Sequence, residues 1–146
     1  LTTVLTNRLT KAIREELGAS YSPNAAVAIS SGPQPEATVS VSISGAPDDM
    51  AAISEALQAN LDDLRTNGPT AAEFSAAIAE ANDANSFISD QQIVGMLERW
   101  LVYPKTFDDY ANLGSSIASA TAVDLRNFAR NVLPAQHYIE ITQLPR

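Results

Sequence analysis

The sequence contains no cysteine, and its 146 residues include one histidine and six glycines. Without cysteine the chain can form neither disulfides nor thiolate zinc sites, and it has no cysteine nucleophile, although the redox compartment stays open. A serine–histidine–acid triad would have to use His137, and no Gly-x-Ser-x-Gly turn precedes that residue. A glycine-rich phosphate-binding loop is missing as well. Several common enzyme classes are therefore excluded.

Positive charge is also scarce in this chain. Nine Lys and Arg residues stand against seventeen Asp and Glu residues, which gives a net charge of −8. The nine cations do not cluster, and this argues against nucleic acid or an anionic membrane surface as a partner. The acid pairs Asp48–Asp49, Asp62–Asp63 and Asp108–Asp109 lie on predicted helices, so their carboxylates diverge. Glu16 could pair with Arg8, contact a partner domain or lie at the surface.

Long hydrophobic runs are absent too. No apolar stretch approaches the ~20 residues of a membrane-spanning helix. The length suits one domain with a core of its own, so we expect residues 1–146 to form a single domain. Because the chain begins at Leu1 rather than at methionine, we expect it to be a piece of a longer protein. The lack of a targeting signal then says little about the compartment.

The apolar residues that are present recur with helical and strand periods. A helix is predicted from Leu1 to Leu17, and the strands Ala26–Ser31 and Thr38–Ser44 follow it. Further helices are predicted from Pro47 to Leu64, from a capping box at Thr70–Glu73, over Gln91–Leu101, from Thr106 to Ile117, and from a second capping-box-like start at Thr121–Asp124 to Leu133. Tyr138, Ile139 and Ile141 are predicted to form a last strand that ends in Leu144–Pro145. This order has no strand–helix–strand repeat. It therefore predicts an α+β fold, with a mainly antiparallel sheet and helices packed on one face.

For two of these segments the sequence also predicts which side chains face the core. In Thr38–Ser44 valine and isoleucine alternate with serine, which is typical of an antiparallel strand with one wet face. In Gln91–Leu101 the helical period predicts that one apolar side faces the core; its residues are Ile93, Val94, Leu97 and Trp100.

The most informative stretch is Arg14–Pro23, which reads Arg-Glu-Glu-Leu-Gly-Ala-Ser-Tyr-Ser-Pro. Gly18 suits the left-handed position after a helix end, and Pro23 cannot continue a helix. Arg14 lies away from the apolar stripe of its helix, and Tyr21 enters the next strand across the turn. The turn thus brings a cation and a phenol to the rim of the sheet. Alternatively, Arg14 is a solvated helix residue and Tyr21 an ordinary strand aromatic.

This stretch resembles a segment of peptidase family M16, the pitrilysin and insulinase-like zinc metallopeptidases. The resemblance implies a LuxS/mitochondrial-processing-peptidase-like metallohydrolase fold, of which residues 1–146 would be part of the C-terminal, non-catalytic domain. Such a domain supplies an arginine and a tyrosine that hold the backbone of an extended peptide substrate. Arg14 and Tyr21 match that pair in type and spacing, so the resemblance implies that both bind substrate.

The resemblance also implies which chemistry this chain lacks. Catalysis in the family needs a His-x-x-Glu-His helix and a distant glutamate around zinc, whereas the only histidine here is His137, which we interpret as a surface or turn residue. We expect no cofactor in this chain, no catalytic residue and no activity of the chain alone. Zinc is expected in an upstream catalytic domain or partner subunit. Bacterial relatives with this segment are often exported, which implies a periplasmic location.

Two other interpretations stay open. The family includes subunits without catalytic activity, so the chain could be a structural or interaction module of the same fold. It could also be an unrelated α+β domain, in which case Arg14 and Tyr21 need not lie near each other. The sequence does not identify the substrate.

Overall fold

The computed structural model describes residues 1–16, 23–30, 36–86, 89–102, 112–136 and 138–144, and it leaves out the side chains of residues 15, 16, 99, 100 and 102. These parts of the chain hold six α-helices and a two-stranded antiparallel sheet, in the order α1 (Thr2–Leu9), β1 (Asn24–Ile29), β2 (Ala37–Ser42), α2 (Met50–Thr66), α3 (Ala71–Ser86), α4 (Asp90–Val102), α5 (Leu113–Ser119) and α6 (Ala122–Val132). The predicted α+β class with an antiparallel sheet is confirmed. No helix among the described residues is both long and apolar enough to cross a membrane.

The hairpin of β1 and β2 has one buried face and one wet face. Ala25 pairs with Val41 and Val27 with Val39. Of these residues, Ala25, Val39 and Val41 pack in the core beneath the helices. Ser40, Ser42 and Ser44 are exposed on the other side, as their alternation predicts. Both strands begin before their predicted first residues and end two residues before their predicted ends. Helices α1 and α6 pack against the sheet.

The first helix and its continuation supply four of the nine buried apolar side chains of the described chain. Val4, Leu5, Leu9 and Ile13 are each at most 1% exposed, and they pack against β1, β2 and α2. After Leu9 the helix continues as wider, π-helical turns over Thr10–Glu16. At the point of change the Thr10 hydroxyl donates to the carbonyl of Thr6 at 2.7 Å. A hydroxyl bonded back to the preceding turn commonly bends or widens a helix.

Reciprocal side-chain and backbone hydrogen bonds fix the starts of three helices. In α6 Thr121 accepts from the Asp124 amide while Asp124 accepts from the Thr121 amide, so the capping box predicted there is confirmed. The box at Thr70–Glu73 is confirmed in the same way at the start of α3. A third box, at Ser89–Gln92 before α4, was not predicted although its residue types fit the pattern.

The predicted last strand is wrong for the described part of the chain. Tyr138–Leu144, the C-terminal segment, has no strand ladder, and Ile139 and Ile141 are 88% and 86% exposed. The alternating pattern indicates that a segment can form a strand, but a strand also needs a neighbour about 4.8 Å away. A cavity separates this segment from β2.

The inward face predicted for α4 is also wrong. The helix forms at Asp90–Val102, yet Ile93, Val94 and Leu97 are 43%, 53% and 49% exposed. The physical reason is that apolar residues at helical spacing show only that one side of a helix is able to pack. They do not show that another part of the chain lies against that side. The Trp100 side chain lies outside the described residues.

Helix α5 begins at Leu113, and the helix start predicted at Thr106 lies outside the described residues. Residues 103–111 lie outside the described part of the chain, and so do Tyr21 and His137. The predictions made for these residues stay predictions.

Candidate functional site

Arg14 is the one described member of the predicted substrate-binding pair. It lies in the π-helical turns that follow α1, directly after the fully buried Ile13, and it is exposed. Because the apolar residues of this helix are turned towards the sheet and α2, the guanidinium is left on the solvent side. Wide helical turns are rare and recur at functional sites. Tyr21 lies outside the described residues, so its approach to Arg14 stays a prediction.

Arg8 holds the helix that carries Arg14. Its guanidinium donates from Nε to Glu73 Oε1 at 2.7 Å and from Nη2 to Glu73 Oε2 at 2.8 Å, which is a bidentate pair. Nη1 donates to Asp63 Oδ2 at 2.6 Å, and Nη2 also donates to the carbonyl oxygen of Gly68 at 2.9 Å. The Arg8 side chain is only 9% exposed. One guanidinium thus joins α1 to α2, to α3 and to the loop between them.

The electrostatics of this cluster follow from its hydrogen bonds. The bonds from Arg8, together with those from Thr70, lower the pKa of the Glu73 carboxyl to about 2 against the opposing effect of its burial. The pKa of Arg8 is raised, first by its hydrogen bond to Glu73. Glu73 therefore serves two purposes, because the carboxylate that completes the capping box of α3 also binds Arg8.

The sequence pattern missed this role of Arg8. Glu16 was considered as its partner, but the side chain of Glu16 lies outside the described residues. The described partners of Arg8 are Asp63 and Glu73, 55 and 65 residues away. The carboxylates of Asp62 and Asp63 diverge as expected, since Asp62 pairs with Arg65 while Asp63 pairs with Arg8. The capping box did identify Glu73, but nothing local in the sequence connects that residue to Arg8.

Gly68 gives the α2–α3 loop its shape. Its φ of +80° lies in the left-handed region, which side chains disfavour. A Cβ placed on Gly68 would lie 2.9 Å from the Arg126 Cβ, so a side chain would also collide with α6. The carbonyl oxygen of this glycine accepts a hydrogen bond from Arg8, and the loop therefore belongs to the same cluster.

Among the described residues, no group of three or more histidine, aspartate or glutamate side chains is placed to hold a metal ion. This part of the chain offers an exposed arginine on a firmly held helix.

Residues 1–81, more than half of the chain, match the family model described as the peptidase M16 inactive domain. The chain belongs to this family. A crystal structure of a peptidase M16 inactive domain from Pseudomonas fluorescens is similar, with a TM-score of 0.75 and 17% sequence identity. At that identity the likeness shows the fold alone. The matched region covers 92% of this M16 chain and 34% of the solved chain, so the chain spans about a third of that relative's length. No curated protein matches the sequence of this chain.

Proposed function

We propose that this M16 inactive domain holds an extended peptide for cleavage by a separate zinc-bearing domain. The observation that carries the proposal is Arg14, which is exposed and lies within the region that matches the family. Its helix is fixed by the Arg8 cluster, the part-buried group of Arg8, Asp63, Gly68 and Glu73. Family membership supports association with a catalytic domain. The zinc, the water it activates and the base belong to that domain in this proposal, and residues 1–146 act as one non-catalytic unit.

The chemistry assigned to the pair is hydrogen bonding to the substrate backbone. A guanidinium offers five donors in a fixed planar arrangement, so Arg14 can donate to a peptide carbonyl whatever the substrate side chains are. Tyr21 adds a phenol donor, which can hold the carbonyl oxygen as negative charge develops on it. Such backbone recognition tolerates many sequences.

Removing either group should lower peptide hydrolysis while the zinc site stays intact. In the full-length protein, or in this domain combined with its catalytic partner, we expect Arg14→Ala and Tyr21→Phe to reduce kcat/KM by about ten- to thousand-fold, which is about 1.4 to 4 kcal/mol of lost transition-state stabilisation. Hydrolysis of a fluorogenic peptide and zinc content are the two measurements.

Lys11→Ala is the matched control, because Lys11 is an exposed cation on the same π-helical turns. Its activity should stay within about twofold of wild type. If Arg14→Ala behaves like Lys11→Ala, then Arg14 is a solvated surface residue and the proposed binding role is wrong.

A second candidate is a structural or interaction module without substrate. The exposed apolar side of α4 favours it, since contiguous apolar surface marks contacts between proteins. An inactive wild-type assembly that contains a zinc-loaded catalytic domain would support this candidate.

For location we propose the periplasm, from the resemblance to exported bacterial relatives. Fractionation of cells producing the full-length protein checks it, and recovery with cytoplasmic markers would contradict it.

A further inference from the structure

The α2–α3 loop contains the only Asn-Gly pair of the sequence, Asn67–Gly68. A backbone nitrogen can attack the side-chain amide of an asparagine directly before it. Glycine hinders this attack least, because it has no Cβ beside the nitrogen. Every other asparagine of the chain is followed by a residue with a side chain. On sequence alone, Asn67 is therefore the asparagine most prone to spontaneous deamidation.

Deamidation of Asn67 needs no reactant other than water. The Gly68 nitrogen forms a bond to Asn67 Cγ, the bond from Cγ to Nδ2 breaks, and the proton of the Gly68 amide leaves with Nδ2 as ammonia. The product is a five-membered succinimide ring. Water then adds to one of the two ring carbonyls and breaks its bond to the ring nitrogen. Opening at Cγ leaves aspartate at position 67, and opening at the backbone carbonyl leaves isoaspartate.

The folded loop opposes ring closure through its backbone conformation. The ring requires Asn67 Cβ and the Gly68 nitrogen to lie on the same side of the Asn67 Cα–C bond. At the observed ψ of −24° the Asn67 and Gly68 nitrogens are themselves nearly eclipsed, so the tetrahedral Cα holds Cβ far from that position. The Asn67 ψ must rotate widely before the ring can form. Gly68, which is buried against the Arg126 side chain, would have to move with it.

Hydrogen bonds also hold the two reacting groups. The Gly68 amide donates to the carbonyl of Leu64 at 3.1 Å, so the proton that the reaction must remove is already bound. Asn67 Nδ2 donates to Asp63 Oδ1 at 2.6 Å, which ties the leaving group to α2. The first step therefore requires that both of these bonds break.

Two arginines keep the loop in this closed state. Arg8 donates to the carbonyl oxygen of Gly68 at 2.9 Å. Arg130, from α6, donates to the carbonyls of Arg65 at 2.8 Å and Thr66 at 3.3 Å. When a loop opens and closes quickly compared with a slow chemical step, the rate of that step is proportional to the open population. The rate of deamidation should therefore report how often these contacts open.

Either product would prevent the loop from closing as before. Aspartate at position 67 would place a second carboxylate against Asp63, where an amide now donates, and like charges at that distance repel. Asp63 is also a partner of Arg8. Isoaspartate would add one carbon atom to the main chain and displace the Gly68 carbonyl from Arg8. Neither product returns to asparagine, so the change is permanent.

We propose that Asn67–Gly68 is a deamidation site that the fold keeps closed. The site reacts only in molecules whose α2–α3 loop has opened, and its modification then permanently weakens the Arg8 cluster. Substrate binding by Arg14 or Tyr21 is not involved, so the failure of either proposal would leave the other standing.

Peptide mapping by mass spectrometry, during incubation at mildly alkaline pH, measures deamidation at Asn67. The folded chain is compared with the chain in guanidinium and with a capped peptide of residues 64–70, Leu-Arg-Thr-Asn-Gly-Pro-Thr. Asn67 should react at least about tenfold more slowly in the folded chain than in the other two samples. Equal rates would mean that the fold does not close the site, and an unreactive peptide would mean that no such site exists. Each result would overturn the proposal.

Two variants loosen the loop without changing the reacting pair. Arg130→Ala and Arg8→Lys each remove hydrogen bonds to the loop or to the end of α2, so each should speed deamidation of the folded chain by about threefold or more. Lys11→Ala, the exposed control, should stay within about twofold of wild type. A wild-type rate in Arg130→Ala, with its circular dichroism unchanged, would show that opening of this loop does not control the reaction.

The consequence of the modification is tested with Asn67→Asp and with isoaspartate-containing protein separated by ion exchange. Asn131→Asp is the matched control, because it adds the same charge at an exposed position near the end of α6. In both modified forms the Gly68 amide should exchange with solvent about tenfold faster than in the control, and urea should unfold them at lower concentration. If both forms behave like Asn131→Asp, deamidation does not weaken the Arg8 cluster and the proposal is wrong.

Discussion

Single residues in this domain act through contacts made far away in the sequence. Arg8 satisfies two carboxylates and one carbonyl from three separate parts of the fold. Because the Arg8 side chain is only 9% exposed, removal of one of its partners would leave an unpaired charge with little solvent around it. At this scale the structure makes two predictions, one for Glu73 and one for Gly68.

The stability contributed by Glu73 should depend on pH. Its folded pKa of about 2 lies below the ordinary value of 4.5, so its stabilising effect is fully present above about pH 4.5 and is lost as the pH falls towards 2. The shift corresponds to about 3 kcal/mol, but the side chain is a quarter exposed, and solvent screening reduces the expected effect to about 1 to 2 kcal/mol. Urea unfolding of wild type and Glu73→Gln from pH 2 to 7 measures it.

The difference in unfolding free energy between the two proteins should shrink as the pH falls. Glu55→Gln, which changes an exposed carboxylate of α2, is the control and should show a small difference at every pH. A Glu73→Gln difference that does not vary with pH would mean that the Arg8 pair does not stabilise the fold.

Gly68→Ala should destabilise the domain. The new methyl group would meet both the left-handed backbone and the Arg126 side chain, at an expected cost of about 1 to 3 kcal/mol. Gly95→Ala is a matched control in α4, where a Cβ meets nothing within 4 Å, and it should be neutral or stabilising by up to about 1 kcal/mol. Guanidinium unfolding compares the two. Equal unfolding free energies for the two variants would show that the α2–α3 loop can accommodate a side chain at position 68.

At the scale of elements, helix α4 differs from its neighbours. The end of α2 is joined to α6 by Arg130, whose Nε donates to the carbonyl of Arg65 at 2.8 Å, and Leu64 between them is fully buried. Helix α4 has an equally regular apolar side that is about half exposed. Its sequence therefore forms a helix without contributing to the core of the described chain.

Truncation of one leucine in each helix should reveal this difference. Leu64→Ala removes a fully buried side chain and should cost about 2 to 5 kcal/mol, whereas Leu97→Ala, at a position 49% exposed, should cost less than about 1 kcal/mol. Thermal and urea unfolding provide the measurements. A Leu97→Ala cost close to that of Leu64→Ala would mean that another surface covers α4.

On the scale of the whole molecule, the features that could be predicted from the sequence are those that depend on interactions between residues close together in the chain. Capping boxes span four residues and the strand alternation spans seven, so the starts of α3 and α6 and the solvent-exposed face of β2 could be predicted. The Arg14–Tyr21 segment led correctly to the M16 family. The partners of Arg8, the exposure of α4 and the isolation of the C-terminal segment could not be predicted, because each depends on which distant surface comes close.

The Arg8 cluster also has a consequence for how the protein is made. Its partners lie 55 to 65 residues further along the chain, so they do not exist when the first helix leaves the ribosome. At about 5 to 20 residues per second, Glu73 is synthesised roughly 3 to 13 seconds after Arg8. The helical turns themselves form in about a microsecond. During synthesis, therefore, the helix that carries Arg14 can form seconds before the partners of Arg8 are there to orient it. The final placement of Arg14 is among the later events of folding.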